Sequence, residues 1–291
     1  MAGSPHALEQ VSHQLATEVF CALDSAGIAK FSPHLKTRLI RKAARVYEKN
    51  FLPIFELYAR GNASPDLMYL CALLNVYGLL LDKVIDGHAD NPWDIPEYSQ
   101  AAGFLLIELV EILHKAYGRQ ALDQFKALYA VQSQYLALEK EWEIPARFCN
   151  RYSQFDNVYE KMILGLFPVS LLPSDSGCTE KLQFLKCYFS LELAVDDVYD
   201  FTADVNAQTL NYPIALYYSQ TGQMPEPQST CLEAVLPTIR SDIRNAEQLL
   251  HSQAYEEVWA ASPSAQRHIG LFLDGFEVLA QKLGATGELS T

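Results

Sequence analysis

"LAVDDVYDFTADV", residues 193–205, closes an apolar run on four aspartates: Asp196, Asp197, Asp200 and Asp204. Carboxylates this close repel one another, so their place at the end of a core-like segment needs a physical reason. The preceding "KLQFLKCYFSLEL" carries apolar residues at three- and four-residue spacing, the period of a helix. On that helix Glu192, Asp196 and Asp200 recur one turn apart and share a face, with Asp197 beside them. The following "TADVNAQTLNYP" (202–213) reads as a loop, which puts the acids at a helix C-terminus. Negative charge there opposes the helix dipole, at a few tenths to about 1 kcal/mol per exposed charge. Like charges one turn apart add a penalty of the same sign.

The same defect recurs in "SPDLMYLCALLNVYGLLLDKVIDG" (64–87), where Asp82 and Asp86 stand one turn apart at the end of an apolar helix. One such pair reads as a solvated helix end. Two, each following a strongly apolar run, favour a metal. A divalent cation reverses the sign of the repulsion, and hard Mg²⁺ prefers carboxylate oxygen, commonly one or two carboxylates together with substrate phosphates. Asp82, Asp86, Asp196, Asp197 and Asp200 are therefore the expected metal ligands.

Helical spacing extends along the chain, broken by short polar or Pro/Gly stretches. Ser32-Pro33 and Ser64-Pro65 are N-cap devices with proline at the first helical position. The first of these helices is expected to kink or break at Pro53. Further helices are expected over 100–117, 119–142, 146–171, 181–201, 231–252 and 262–284. The predicted architecture is all-α, one domain over residues 1–291 with about ten helices.

With 22 Lys and Arg against 35 Asp and Glu, the net charge of -13 argues against nucleic acid as a partner. The six cysteines are scattered and read as free, mostly buried thiols of a reducing compartment. The N-terminus lacks a signal-peptide apolar core. The longest apolar stretch, residues 67–81, is too short for a membrane span. The expectation is a soluble cytoplasmic protein. Five basic residues, Lys36, Arg38, Arg41, Lys42 and Arg45, fall within ten positions. Arg38, Arg41 and Arg45 share a helix face, which suits either a solvated surface or a diphosphate clamp.

"AVDDVYDFTADV" resembles the second aspartate-rich motif of prenyl diphosphate synthases, D-D-x-x-D followed by F-x-x-D, and "TLNYPIAL" resembles the T-L-P segment after it. "LLLDKVIDG" looks like the first motif with Lys83 between its outer acids Asp82 and Asp86. The chain thus resembles the class I isoprenoid synthases, which include prenyl diphosphate synthases, squalene/phytoene synthases and terpene cyclases. That resemblance implies a helical bundle around a central apolar cavity. It implies Mg²⁺, three ions, holding the diphosphate of an allylic isoprenoid and stabilising its departure. It gives Asp82, Asp86, Asp196 and Asp200 the catalytic role and makes Arg38, Arg41 and Lys161 diphosphate contacts. It places Asn75, Tyr77, Phe167 and Phe189 at the substrate pocket, and homodimers are frequent in the family.

The match departs from chain-elongating members. The glycine of their G-K-x-R stretch is absent from "LKTRLIR" (35–41), Asn75 replaces an expected histidine, and no arginine follows Asp86 in "GHADNPWD". Terpene cyclases usually carry a different second motif and a C-terminal Arg-Tyr pair, whereas this chain has Arg267-His268. The expected activity is therefore ionisation of an isoprenyl diphosphate, followed by cyclisation or transfer to a small acceptor. The alternatives are a short-chain prenyl diphosphate synthase, a squalene-synthase-like condensing enzyme, and a catalytically inactive helical partner subunit.

Overall fold

Two serine caps fix where the long N-terminal helices begin. The Ser32 Oγ accepts the Leu35 N–H at 3.3 Å, and the Ser64 Oγ accepts the Leu67 N–H at 3.2 Å. Each satisfies a donor that a helix start leaves orphaned, just before a proline that has no N–H to lose. The computed structural model describes residues 5–59, 63–85, 94–172 and 178–287. Among these residues every regular element is helical, as the spacing of apolar residues predicts. The chain divides into two compact units, one of Met1–Lys126 with Gly165–Ser174, the other of Ala127–Leu164 with Asp175–Thr291.

The first unit packs α1 (Pro5–Ser25), α2 (Pro33–Ala59), α3 (Pro65–Ile85) and α4 (Ile95–Ile112) against one another, with α3 touching all three others. α2 runs through Pro53 without the expected break. Phe51, Leu52, Ile54 and Phe55 are buried on either side of the proline, and that packing offsets the missing hydrogen bond. α3 has 21 residues and by length and composition alone could cross a membrane, yet 56% of its most apolar window is buried in the protein. α4 ends in a single π turn, Leu113–Tyr117, and Gly118, at φ 78°, redirects the chain into α5 (Gly118–Leu138). A side chain is strained at that φ, so the glycine has a conformational reason.

The second unit is built on α7 (Cys178–Ala207), 30 residues long. α7 packs against α8 (Tyr212–Thr221), α9 (Ser229–Leu250), the short α10 (Glu256–Ala260) and α11 (Pro263–Gly287). Residues 188–195 of α7 are all buried, so this stretch is core on every side. The helix expected over 146–171 is two elements: α6 (Ala146–Tyr152), then an irregular 3₁₀ helix from Phe155 to Leu171. Such tight helices rarely exceed a few residues. Here side chains of neighbouring helices capture N–H groups along it: Ser190 Oγ accepts from Tyr159 and Gln132 Oε1 from Leu164, both at 3.2 Å.

The largest departure from the sequence reading lies at the opening motif. The segment 202–213, expected to be loop, is helical as far as Ala207. Asp196 and Asp200 therefore sit within α7, and the dipole argument reaches only Asp204 in the last turn. Two backbone bonds close the helix, Gln208 N–H to the Val205 carbonyl (3.2 Å) and Thr209 N–H to the Asp204 carbonyl (2.9 Å). Gln208 adopts the left-handed conformation, φ 55°, that helix ends usually give to glycine. Gln208→Gly is expected to raise stability by up to about 1 kcal/mol, the cost of a left-handed side-chain-bearing residue. A lowered urea midpoint in this variant would contradict that account of the helix end.

Candidate functional site

α7 changes character at residue 196. Over the two turns before it, residues 188–195, the helix is buried on all sides; after it one face is open. Asp196, Tyr199 and Asp200 are exposed, while Asp197, Val198 and Phe201 are buried. Glu192, one turn before Asp196, is only 3% exposed. The two open carboxylates, Asp196 and Asp200, are thus a turn apart on the solvent side of a helix whose preceding turns form the core.

Asp197 points the other way and is 3% exposed. Its Oδ1 lies 3.3 Å from Lys161 Nζ, and its Oδ2 accepts the Tyr212 N–H at 3.1 Å. Burial pushes the Asp197 carboxyl up from the usual carboxylate range, against the pull of Lys161 and the Tyr212 N–H. Burial lowers the Lys161 ammonium, but the charges of Asp197 and Glu139 outweigh it and hold its pKa above the usual lysine value. Lys161, the expected diphosphate contact, is thereby placed beside an expected metal ligand.

Asn211 completes this arrangement. It is fully buried and is the N-cap of α8, its Oδ1 accepting the Ile214 N–H at 3.0 Å. Its Nδ2 donates to Asp204 Oδ2 at 2.8 Å and to the Asp197 carbonyl at 3.3 Å. The adjoining Leu210 N–H donates to the Glu139 carbonyl, and Lys140 Nζ reaches Thr209 Oγ1 at 3.0 Å. Nearby, the buried Glu160 accepts from Arg151 and from the Tyr152 hydroxyl. The "TLN" segment is therefore tied to α7 on one side and to the end of α5 on the other. None of Glu139, Glu160 and Asn211 stands out by spacing. The signal that was present is Asn211 two residues before Pro213, a helix-start pattern.

In the first unit, Asp82 is exposed in the last turn of α3, while its expected companion Asp86 lies outside the described residues. Asn75, an expected pocket residue, is buried and donates to the Ala43 carbonyl at 2.7 Å, tying α3 to α2. Tyr77 is 3% exposed, and Phe167 packs edge-on against Phe125 with ring centroids 5.3 Å apart. Arg38 and Arg41 are on the exposed face of α2 with Lys42 and Arg45. Lys36, from the same run, pairs with Asp24 instead.

In the second unit, Phe189, the fourth expected pocket residue, is fully buried against Tyr188. A pocket of about 480 Å³ does open on this unit, lined by Lys140, Trp142, Ile144, Arg147 and Gln208 among others. None of the four expected pocket residues lines it. Among the described residues no group of three or more His, Cys, Asp or Glu side chains is placed to hold a metal by itself. No protein-family model matches the sequence, and no curated protein is significantly similar to it.

Asp204 gives the site a pH signature. Burial raises its carboxyl to about 6, opposed by the Asn211 hydrogen bond and the Lys161 charge and reinforced by Asp197 and Asp200. An unfolded Asp titrates near ~4, so the folded state favours the protonated form. That contribution to stability is fully present below about pH 4 and is lost as pH rises through about 6. Asp204→Asn stays neutral and still accepts from Asn211. It is expected to be more stable than the unaltered protein above pH 6, with the difference shrinking toward pH 4. Urea midpoints near pH 4.5 and 7.5 check this; a difference independent of pH contradicts it.

Proposed function

We propose that the protein is a Mg²⁺-dependent enzyme of the class I isoprenoid synthase fold, acting on an allylic isoprenyl diphosphate and either cyclising the prenyl group or passing it to a small acceptor. The observation that carries this reading is the exposed pair Asp196 and Asp200, set one turn apart where the buried stretch 188–195 of α7 meets solvent. The exposed Asp82, at the end of the equally apolar α3, supports it, as does the motif resemblance of both segments. All three side chains offer hard carboxylate oxygen. A donor set of two carboxylates on α7 suits Mg²⁺, which is usually completed by waters and substrate phosphates and not by an all-protein cage.

When bound, Mg²⁺ would act as a Lewis acid on the diphosphate oxygens and so favour its departure. The protein's part is to present Asp196 and Asp200 outward from a rigid helix, so that the ligands need no reordering as the ion arrives.

Two measurements test this reading. Mg²⁺ with inorganic pyrophosphate is expected to raise the melting temperature of the unaltered protein, as any ligand selective for the native state must. Asp196→Asn and Asp200→Asn should each abolish most of that rise; an unaltered protein that does not respond rules the site out. Incubation with C5 to C20 allylic diphosphates is expected to release pyrophosphate without isopentenyl diphosphate. Strict dependence on isopentenyl diphosphate would instead make the protein a chain elongator, and no release from any substrate would favour an inactive partner subunit.

A further inference from the structure

Asp197 stands next to Asp196 in sequence, and by pattern alone the two are equivalent ligands. Their surroundings are opposite. Asp196 is exposed, whereas Asp197 is 3% exposed and has both carboxylate oxygens engaged, one by the Lys161 ammonium and one by the Tyr212 N–H. A metal ion approaching Asp197 would have to displace a hydrogen bond and come close to a positive charge 3.3 Å from the same carboxylate. Neighbouring residues of a helix point about 100° apart, so anchoring Asp197 inward sets the rotation that turns Asp196 and Asp200 outward.

Resting on the proposed function, we infer that Lys161 and Asp197 are positioning residues: an internal ion pair that holds α7 in the rotation presenting Asp196 and Asp200 to the cation, with Asp197 not itself a metal ligand and Lys161 not primarily a diphosphate contact. The irregular helix 155–171 serves this pair. Ser190, on α7 itself, accepts the Tyr159 N–H, which fixes Lys161 in register with Asp197 two turns further along α7. Tyr212 and Asn211 hold Asp197 from the other side, through its carboxylate and its backbone carbonyl. Second-layer groups of this kind commonly change metal affinity 10–100-fold when removed.

The test is the Mg²⁺ concentration that half-saturates the thermal shift at fixed inorganic pyrophosphate. Lys161→Met and Asp197→Asn are each expected to raise it about tenfold or more. The double variant should be no worse than either single one, because both remove the same interaction. Lys161→Arg should recover most of the affinity. Two results overturn the inference: Asp197→Asn abolishing the response while Lys161→Met leaves it unchanged, which makes Asp197 a ligand, or both variants matching the unaltered protein. If Lys161→Met does not melt cooperatively, Lys161→Gln, which also removes the charge but keeps a polar end, carries the same comparison with Asp197→Asn. Failure of the unaltered protein to respond would sink the proposed function, and a normal response there with silent variants would sink the positioning role alone.

Discussion

A carboxylate buried away from water has to be compensated, and Asp197 is the carboxylate that organises the second unit. Uncompensated, it would cost several kcal/mol, more than most single packing contacts return. The compensation comes from two segments far apart in the chain: Lys161 from the 3₁₀ helix, and the Tyr212 N–H from the start of α8, where Asn211 also donates to the Asp197 backbone carbonyl. Because Asn211 also satisfies Asp204 and caps α8, one asparagine joins the C-terminal turns of α7 to the N-terminus of the next helix. The ordering of the "TLNYP" segment, the rotation of α7 and the exposure of its outer acids are linked through these bonds.

The fold class was legible because apolar spacing is a direct record of which faces are buried. The serine caps at Ser32 and Ser64 were legible for a similar reason: a cap is local chemistry, written in adjacent residues. The end of α7 was hidden because Gln208, the residue just past the helix, takes a left-handed conformation without the glycine that usually announces it. The break after Tyr152 was hidden because the 3₁₀ geometry depends on Gln132 and Ser190, residues outside the segment they hold. Among the acids, spacing identified Asp196 and Asp200 as sharing a face but could not separate Asp197 from them. That distinction needs the position of Lys161, 36 residues away.

Polar residues in the first unit follow the same rule. Asn75, which the resemblance places at the pocket, uses its amide to bridge two helices by reaching the Ala43 carbonyl. A buried amide with a backbone partner stabilises a particular helix pairing, whatever else the unit does. Phe167 and Phe189, which the resemblance places at the pocket, are both packed against other rings.

The two units are interleaved along the chain, and this bears on how the protein is made. The first unit is completed by Gly165–Ser174, so Phe125 waits for Phe167, synthesised some forty residues later. The intervening residues, 127–164, belong to the second unit, whose remaining part, with Asp197 as the partner of Lys161, is synthesised later still. The boundaries at 126 and 164 fall inside helices and not in linkers. A ribosome-bound N-terminal fragment therefore carries an unfinished core, and neither unit corresponds to one unbroken length of message.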